Sequence, residues 1–154
     1  MDCLMLTFKG KQVKSSKDLQ NDRLQAIKKA KNARVKVGFP SGKDSTDEDG
    51  VSALDKAMIN NYGLGVPKRP FMAMAFAQNE SKYKKFLGSN LLANPEKIDE
   101  TLNKIGAMGK ADIQNTITSL KSPPNSDLTI KLKGSSNPLI ESGHMRQSVT
   151  WEIV

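Results

Sequence analysis

Cysteine and histidine are almost absent from this chain: Cys3 and His144 are single occurrences among 154 residues. One thiol forms no intrachain disulfide, which points to synthesis in a reducing cytoplasm. One histidine and one cysteine build none of the usual zinc clusters, so no metal is expected. A Ser-His or Cys-His dyad would need His144 as its base, and nothing around it resembles a nucleophile elbow. Its expected role is capping or packing. Aromatic residues make up 5% of the chain, and none lies between Lys9 and Arg34, so that stretch offers no stacking platform for single-stranded nucleic acid. No apolar run approaches the roughly 20 residues of a membrane-spanning helix, and no membrane association is expected. The opening M-D-C-L-M-L-T-F has an acid in place of a basic n-region and reads as a strand instead of a signal peptide.

What is abundant is positive charge, unevenly placed. The net charge is +8, and Lys9 to Lys36 holds ten Lys or Arg against Asp18 and Asp22, an excess of ten minus two. The rest of the chain is close to neutral. Such a local field steers a polyanion, or it is a solvated helix face.

Two familiar sites are approached and missed. Gly38 to Lys43 (G-F-P-S-G-K) has three residues between its glycines where a phosphate-binding loop needs four, and Asp44 stands where Ser or Thr would meet magnesium. A calcium loop starting at Ser45 would place Lys56 where the bidentate glutamate belongs. No cofactor is expected, and with no catalytic constellation in view the chain reads as a non-enzyme.

Periodicity organises the rest. Leu4, Leu6 and Phe8 suit a strand; Asp18 to Lys31 suits a helix capped by Ser15 or Ser16, with Leu24, Ile27 and Lys31 on one face. Ala33 to Phe39 alternates as a half-buried strand. Pro40 to Gly50 carries four acids without periodicity and reads as a surface loop. Val51 to Asn61 reads as a short helix with Leu54, Ala57 and Met58 inward, ended by Gly63 and Gly65. Pro70 opens a helix running to about Leu87, with Met72, Ala75, Phe76, Tyr83 and Phe86 or Leu87 on one stripe. From Glu96 to Leu120, a stripe of Ile98, Leu102, Ile105, Gly109, Ile113, Ile117 and Leu120 predicts a long helix, and Gly109 on that stripe predicts a close crossing. Ser126 and Asp127 cap a short turn through Lys131, and Ser148 to Val154 closes the chain as a strand. These elements predict one α+β domain over residues 1–154: a small, mostly antiparallel sheet with two longer helices packed on one face.

Two stretches go further. Asn60 to Phe76 reads N-N-Y-G-L-G-V-P-K-R-P-F-M-A-M-A-F, and Pro138 to Ile153 reads P-L-I-E-S-G-H-M-R-Q-S-V-T-W-E-I. In this order and spacing they resemble the tail-completion and neck proteins of tailed bacteriophages, the head–tail joining and minor tail components that often read YG…PxRPF and then PLxxTGxLxxSV. Ser142 replaces the usual Thr, and His144-Met145 replaces a polar-Leu pair; both changes are conservative. The resemblance covers roughly Val35 to Val154. It implies a structural virion protein, assembled in the host cytoplasm into a homo-oligomeric ring, most often a hexamer, at the head–tail junction. Its implied partners are the phage connector or adaptor and the tail-tube or terminator proteins, with packaged DNA passing non-specifically. The alternative is a stand-alone basic nucleic-acid-binding protein.

Tyr62, Pro67, Lys68, Arg69, Pro70 and Phe71 are the subunit-interface candidates. A proline-stiffened connector loses little entropy on docking, and arginine is favoured at interfaces. Arg69 also reads simply as a surface arginine in a turn. Pro138, Leu139, Gly143 and Met145 are signature residues that brace the loop before the last strand, and Trp151 reads as core. Arg34 and Lys36, on the strand face opposite the core, are the DNA-channel candidates.

Overall fold

Ser15 begins the described part of the chain by capping its first helix. The computed structural model describes residues 15–40, 46 and 50–154; the expected N-terminal strand and most of the acidic loop lie outside them. The Ser15 hydroxyl accepts from the Asp18 N–H, and the Asp18 carboxylate accepts from the Ser15 N–H, a reciprocal capping box at the start of α1 (Ser16–Asn32). The face carrying Leu24 and Ile27 is exposed; Ala26 is the residue α1 buries. A small side chain there lets the helix lie close against Ile98 and Leu102, with Leu87 and Leu91 beside them.

Strand β1 (Val35–Gly38) pairs antiparallel with β2 (Thr150–Ile153) in a two-stranded sheet, Val37 opposite Trp151 and Lys36 opposite Glu152. Arg34 and Val154 exchange two backbone hydrogen bonds that extend the ladder, at 2.7 and 2.9 Å. Two long helices, α3 (Phe71–Ala93) and α4 (Ile98–Ser119), pack together, and α4 carries both strands on another side. The α+β architecture follows as its sequence pattern predicts.

Helix α4 approaches the sheet so closely that side chains are excluded at two positions. A Cβ at Gly109 would lie 3.1 Å from a Val37 methyl, and one at Gly106 would overlap the Trp151 indole. The expected crossing at Gly109 is therefore a helix–sheet contact. Trp151 is only half-buried, lying over Gly106 with the Lys110 ammonium 5.9 Å from its ring centroid.

Helix α2 (Ala53–Tyr62) is capped by Ser52 and buries Ala53 and Ala57. Met58 is 41% exposed, against the expectation that it points inward. The inward face centres on the two alanines, and Met58 turns about 100° away from Ala57. Helix α3 outlasts the expected end near Leu87, because Leu87 and Leu91 continue its buried stripe. Its Phe76 is 37% exposed and meets Tyr83 edge-to-face. The short helices α5 (Asp127–Lys133) and α6 (His144–Gln147) complete the chain; α6 is too short to leave a periodic signal. The main core joins Ala57, Phe71, Ala75, Ile113, Ile117 and Val149, drawn from α2, α3, α4 and the residue before β2. Among the described residues, no helix is long and apolar enough to cross a membrane.

Candidate functional site

The connector after α2 is folded back on the helix it leaves. Gly63 closes α2 in the left-handed conformation at φ 77°, and a Cβ there would meet the Lys68 backbone at 3.1 Å. The Arg69 N–H donates to the Asn60 carbonyl at 2.8 Å, which fixes the return.

Arg69 is then carried inside. Its residue is 2% exposed, and its guanidinium donates to four oxygens of the same chain. Nε reaches the Pro123 carbonyl at 2.9 Å; Nη2 reaches the Pro124 carbonyl at 3.2 Å and Asn125 Oδ1 at 3.1 Å; Nη1 reaches Asn60 Oδ1 at 3.1 Å. Asn60 is itself held by donating to the Lys56 carbonyl at 2.9 Å. This corrects the reading of Arg69 as an outward anchor or surface turn residue. The fork of donors ties the connector to the loop after α4, and burial pulls the guanidinium below its ordinary pKa.

The other connector candidates divide. Tyr62, Pro67 and Lys68 are exposed, Tyr62 at 60%. Pro70 is half-buried at the N-cap of α3, and Phe71 is fully buried. Exposed Met58, Leu64 and Val66 surround Tyr62 in sequence, so the connector presents apolar side chains outward while Arg69 and Phe71 hold it from within.

The C-terminal motif arrives at the same place. Pro138 is buried, and Leu139 and Met145 enter the main core. The Asn137 amide donates to the Thr118 carbonyl at 2.8 Å and its oxygen accepts from the Leu139 N–H at 3.0 Å, so the segment is pinned to α4. Gly143, at φ 81°, turns the chain into α6. A cleft of about 60 Å³ lies between the two motifs, lined by Lys56 and Asn60 of α2, Lys133 of α5, and Pro138, Leu139 and Glu141 to Met145. That is well below the roughly 300–1,000 Å³ of a small-molecule pocket.

Electrostatics set this cleft apart. Lys56 pairs with Glu141 at 3.4 Å. Lys133 donates to the carbonyls of Asn137 and Pro138 at 3.3 and 3.4 Å. Burial pulls the Lys133 ammonium below its ordinary pKa; Glu141 opposes this, and the charges of Arg69 and Lys56 add to it. Asn60, Asn125, Lys56 and Lys133 are the site residues that sequence reasoning missed. Asn60, two positions before the Tyr-Gly turn, is the one with a local signal.

Arg34, just before β1, and Lys36 on it lie elsewhere and are exposed, with Lys36 paired to Glu152 at 3.5 Å. They share no contact with the cleft among those described. Among the described residues, no three His, Cys, Asp or Glu side chains group so as to hold a metal ion. Comparison with protein-family models, curated proteins and solved structures finds no match to this chain.

Proposed function

We propose that this chain is a structural subunit of a ring at the head–tail junction of a tailed bacteriophage, completing the tail and coupling it to the head connector. The observation that carries this reading is the convergence of the two motif segments. Asn60 of the first, which accepts from Arg69, lines one cleft with Pro138, Leu139 and Glu141 to Met145 of the second, although they are far apart in sequence. Their shared role is to stiffen a connector whose outer surface is apolar: Met58, Tyr62, Leu64 and Val66 are each more than a third exposed. A rigid, apolar, arginine-tied surface suits repeated subunit contact, because little conformational entropy is lost on docking. A hexamer in the virion neck, assembled in the host cytoplasm, is the form that the motif resemblance favours.

Mass and symmetry by electron microscopy test the reading, on the purified protein alone and mixed with connector or tail tube. Closed rings in either sample support it. A monomer at high concentration in both overturns it. Tyr62→Glu and Leu64→Glu together should lower the ring fraction while the helical circular dichroism stays at the wild-type level.

A second reading, a stand-alone nucleic-acid-binding protein, is favoured by one observation: Lys17, Lys28 and Lys31 of α1 are exposed together with Arg34 and Lys36. Steeply salt-dependent DNA binding by the monomer would favour it over the ring.

A further inference from the structure

Helix α5 carries its leucines on the outside. Leu128 and Leu132, about one turn apart, are 68% and 80% exposed, and the helix buries no residue. Asp127 and Lys131 are exposed beside them. Lys133, by contrast, faces the cleft that it shares with Lys56 and Asn60 of α2. At about 100° per residue, Leu128, Lys131 and Leu132 lie about 100–160° around α5 from Lys133. Helix α2 repeats the arrangement. Its Asp55, Met58 and Tyr62 are exposed and lie about 100–160° around the helix from Lys56 and Asn60. The two outward faces thus turn away from the shared cleft and from each other, so they cannot meet within one chain.

We infer that α5 of one copy of this chain docks antiparallel on the α2 face of the next copy. The faces match in spacing and in charge. Leu128 and Leu132 are four residues apart, as are Met58 and Tyr62, a rise of about 6 Å along either helix. Asp55 stands at the N-terminal end of the α2 face, where it accepts from the Ser52 hydroxyl at 2.9 Å. Lys68 stands at the C-terminal end, its backbone 3.1 Å from where a Cβ on Gly63 would lie. Helix α5 has its acid, Asp127, at the start and its base, Lys131, one turn later. Laid antiparallel, Lys131 meets Asp55 and Asp127 meets Lys68; laid parallel, both pairs become like charges, which an interface avoids. Exposed Leu64 and Val66 continue the apolar area along the connector. Because the two faces differ and turn opposite ways, the contact is head to tail, and its repetition closes a ring. The inference rests on the ring reading and names the surfaces that join its subunits.

The test uses Asp55→Lys and Lys131→Asp in the intact chain, each alone and the two mixed, in the sample where wild-type rings form, with mass read by analytical ultracentrifugation. Either variant alone puts like charges into every contact and should weaken association about tenfold or more. An equimolar mixture should recover most of the loss, because alternating copies again pair opposite charges at every contact. Leu128→Ser with Leu132→Ser, which touches no helix cap, should weaken association similarly, so damage to the α2 cap by Asp55→Lys does not decide the result. Wild-type rings together with variants that assemble at wild-type concentrations, or with no gain on mixing, overturn the inference and leave the ring reading standing. Assemblies that stop at two copies overturn the head-to-tail contact. If the wild type stays monomeric alone and with connector or tail tube, the ring reading fails and the inference fails with it.

Discussion

Arg69 ties two distant parts of the chain together. One guanidinium satisfies the carbonyls of Pro123 and Pro124 and the amide oxygens of Asn60 and Asn125, linking the end of α2 to the loop after α4. Lysine carries the charge but cannot reproduce the planar fork. Arg69→Lys should therefore destabilise the fold nearly as much as Arg69→Ala, by about 2–4 kcal/mol, since several buried acceptors lose their donor together. Urea denaturation checks this, and a wild-type midpoint in either variant would remove the clamp from the account. Phe71, two residues on and fully buried, acts through packing alone; Phe71→Ala should cost about 3–5 kcal/mol. Gly106 is a third sensitive position. Gly106→Ala pushes a methyl into the Trp151 ring, and overpacking of this kind costs about 1–3 kcal/mol. The variant should also change Trp151 fluorescence, and an unaltered spectrum with an unaltered melting temperature would show that the indole moves aside freely.

Between elements, the tie that responds to pH joins α3 to α4. The Tyr83 hydroxyl and the Lys82 ammonium both donate to the Asp112 carboxylate. Burial, then the Asp112 hydrogen bond and charge, push the Tyr83 phenol above its ordinary pKa. The folded state thus keeps a proton that the unfolded chain releases near pH 10.0. Stability from this tie is fully present below that pH and is lost as pH rises above it. Tyr83→Phe should remove that part of the alkaline loss. Melting curves from pH 8 to 11 compare the two chains, and parallel losses would assign the alkaline effect to other groups. Elements of this kind differ in how far they are legible in sequence. The α4 stripe was readable because its apolar positions recur at helical spacing, and Gly109 on that stripe announced a close crossing. The strand alternation around Val35 and Val37 was equally local. The Arg69 network was not, because three of its four bonds reach acceptors 54 to 56 residues away, and no local pattern encodes such a partner. The exposure of Met58, Leu24 and Ile27 was hidden for a related reason: small alanines at 57 and 26 took the inward positions, and apolar size alone pointed to the larger neighbours.

For the whole molecule, the question is what its charge asymmetry does. The ten basic residues from Lys9 to Lys36 supply an excess equal to the net charge of +8. In the described part of that stretch, Lys29 pairs with Asp99 at 2.6 Å and Lys36 with Glu152 at 3.5 Å, both on the surface. Exposed pairs of this type contribute about 0–1 kcal/mol, so the charges can be reversed without loss of the fold. Arg34, just before β1, and Lys36 on it are exposed, while Val35 and Val37 turn toward the core clusters. In a ring around DNA, such a face suits contact with phosphates, which holds passing DNA without reading its bases. In such a ring a lumen that is basic throughout would retard the DNA, so part of the cluster would belong on outer or inter-ring surfaces. Arg34→Glu with Lys36→Glu should leave the melting temperature within a few degrees of wild type. The same pair should lower infectivity or DNA retention in assembled particles, because phosphate attraction becomes repulsion at two positions per subunit. The comparison must be made in particles containing equal amounts of the two proteins. Equal infectivity and equal retention there would show that Arg34 and Lys36 form only a solvated face, and would move any DNA contact to α1, where Lys17, Lys28 and Lys31 are the next charges to reverse.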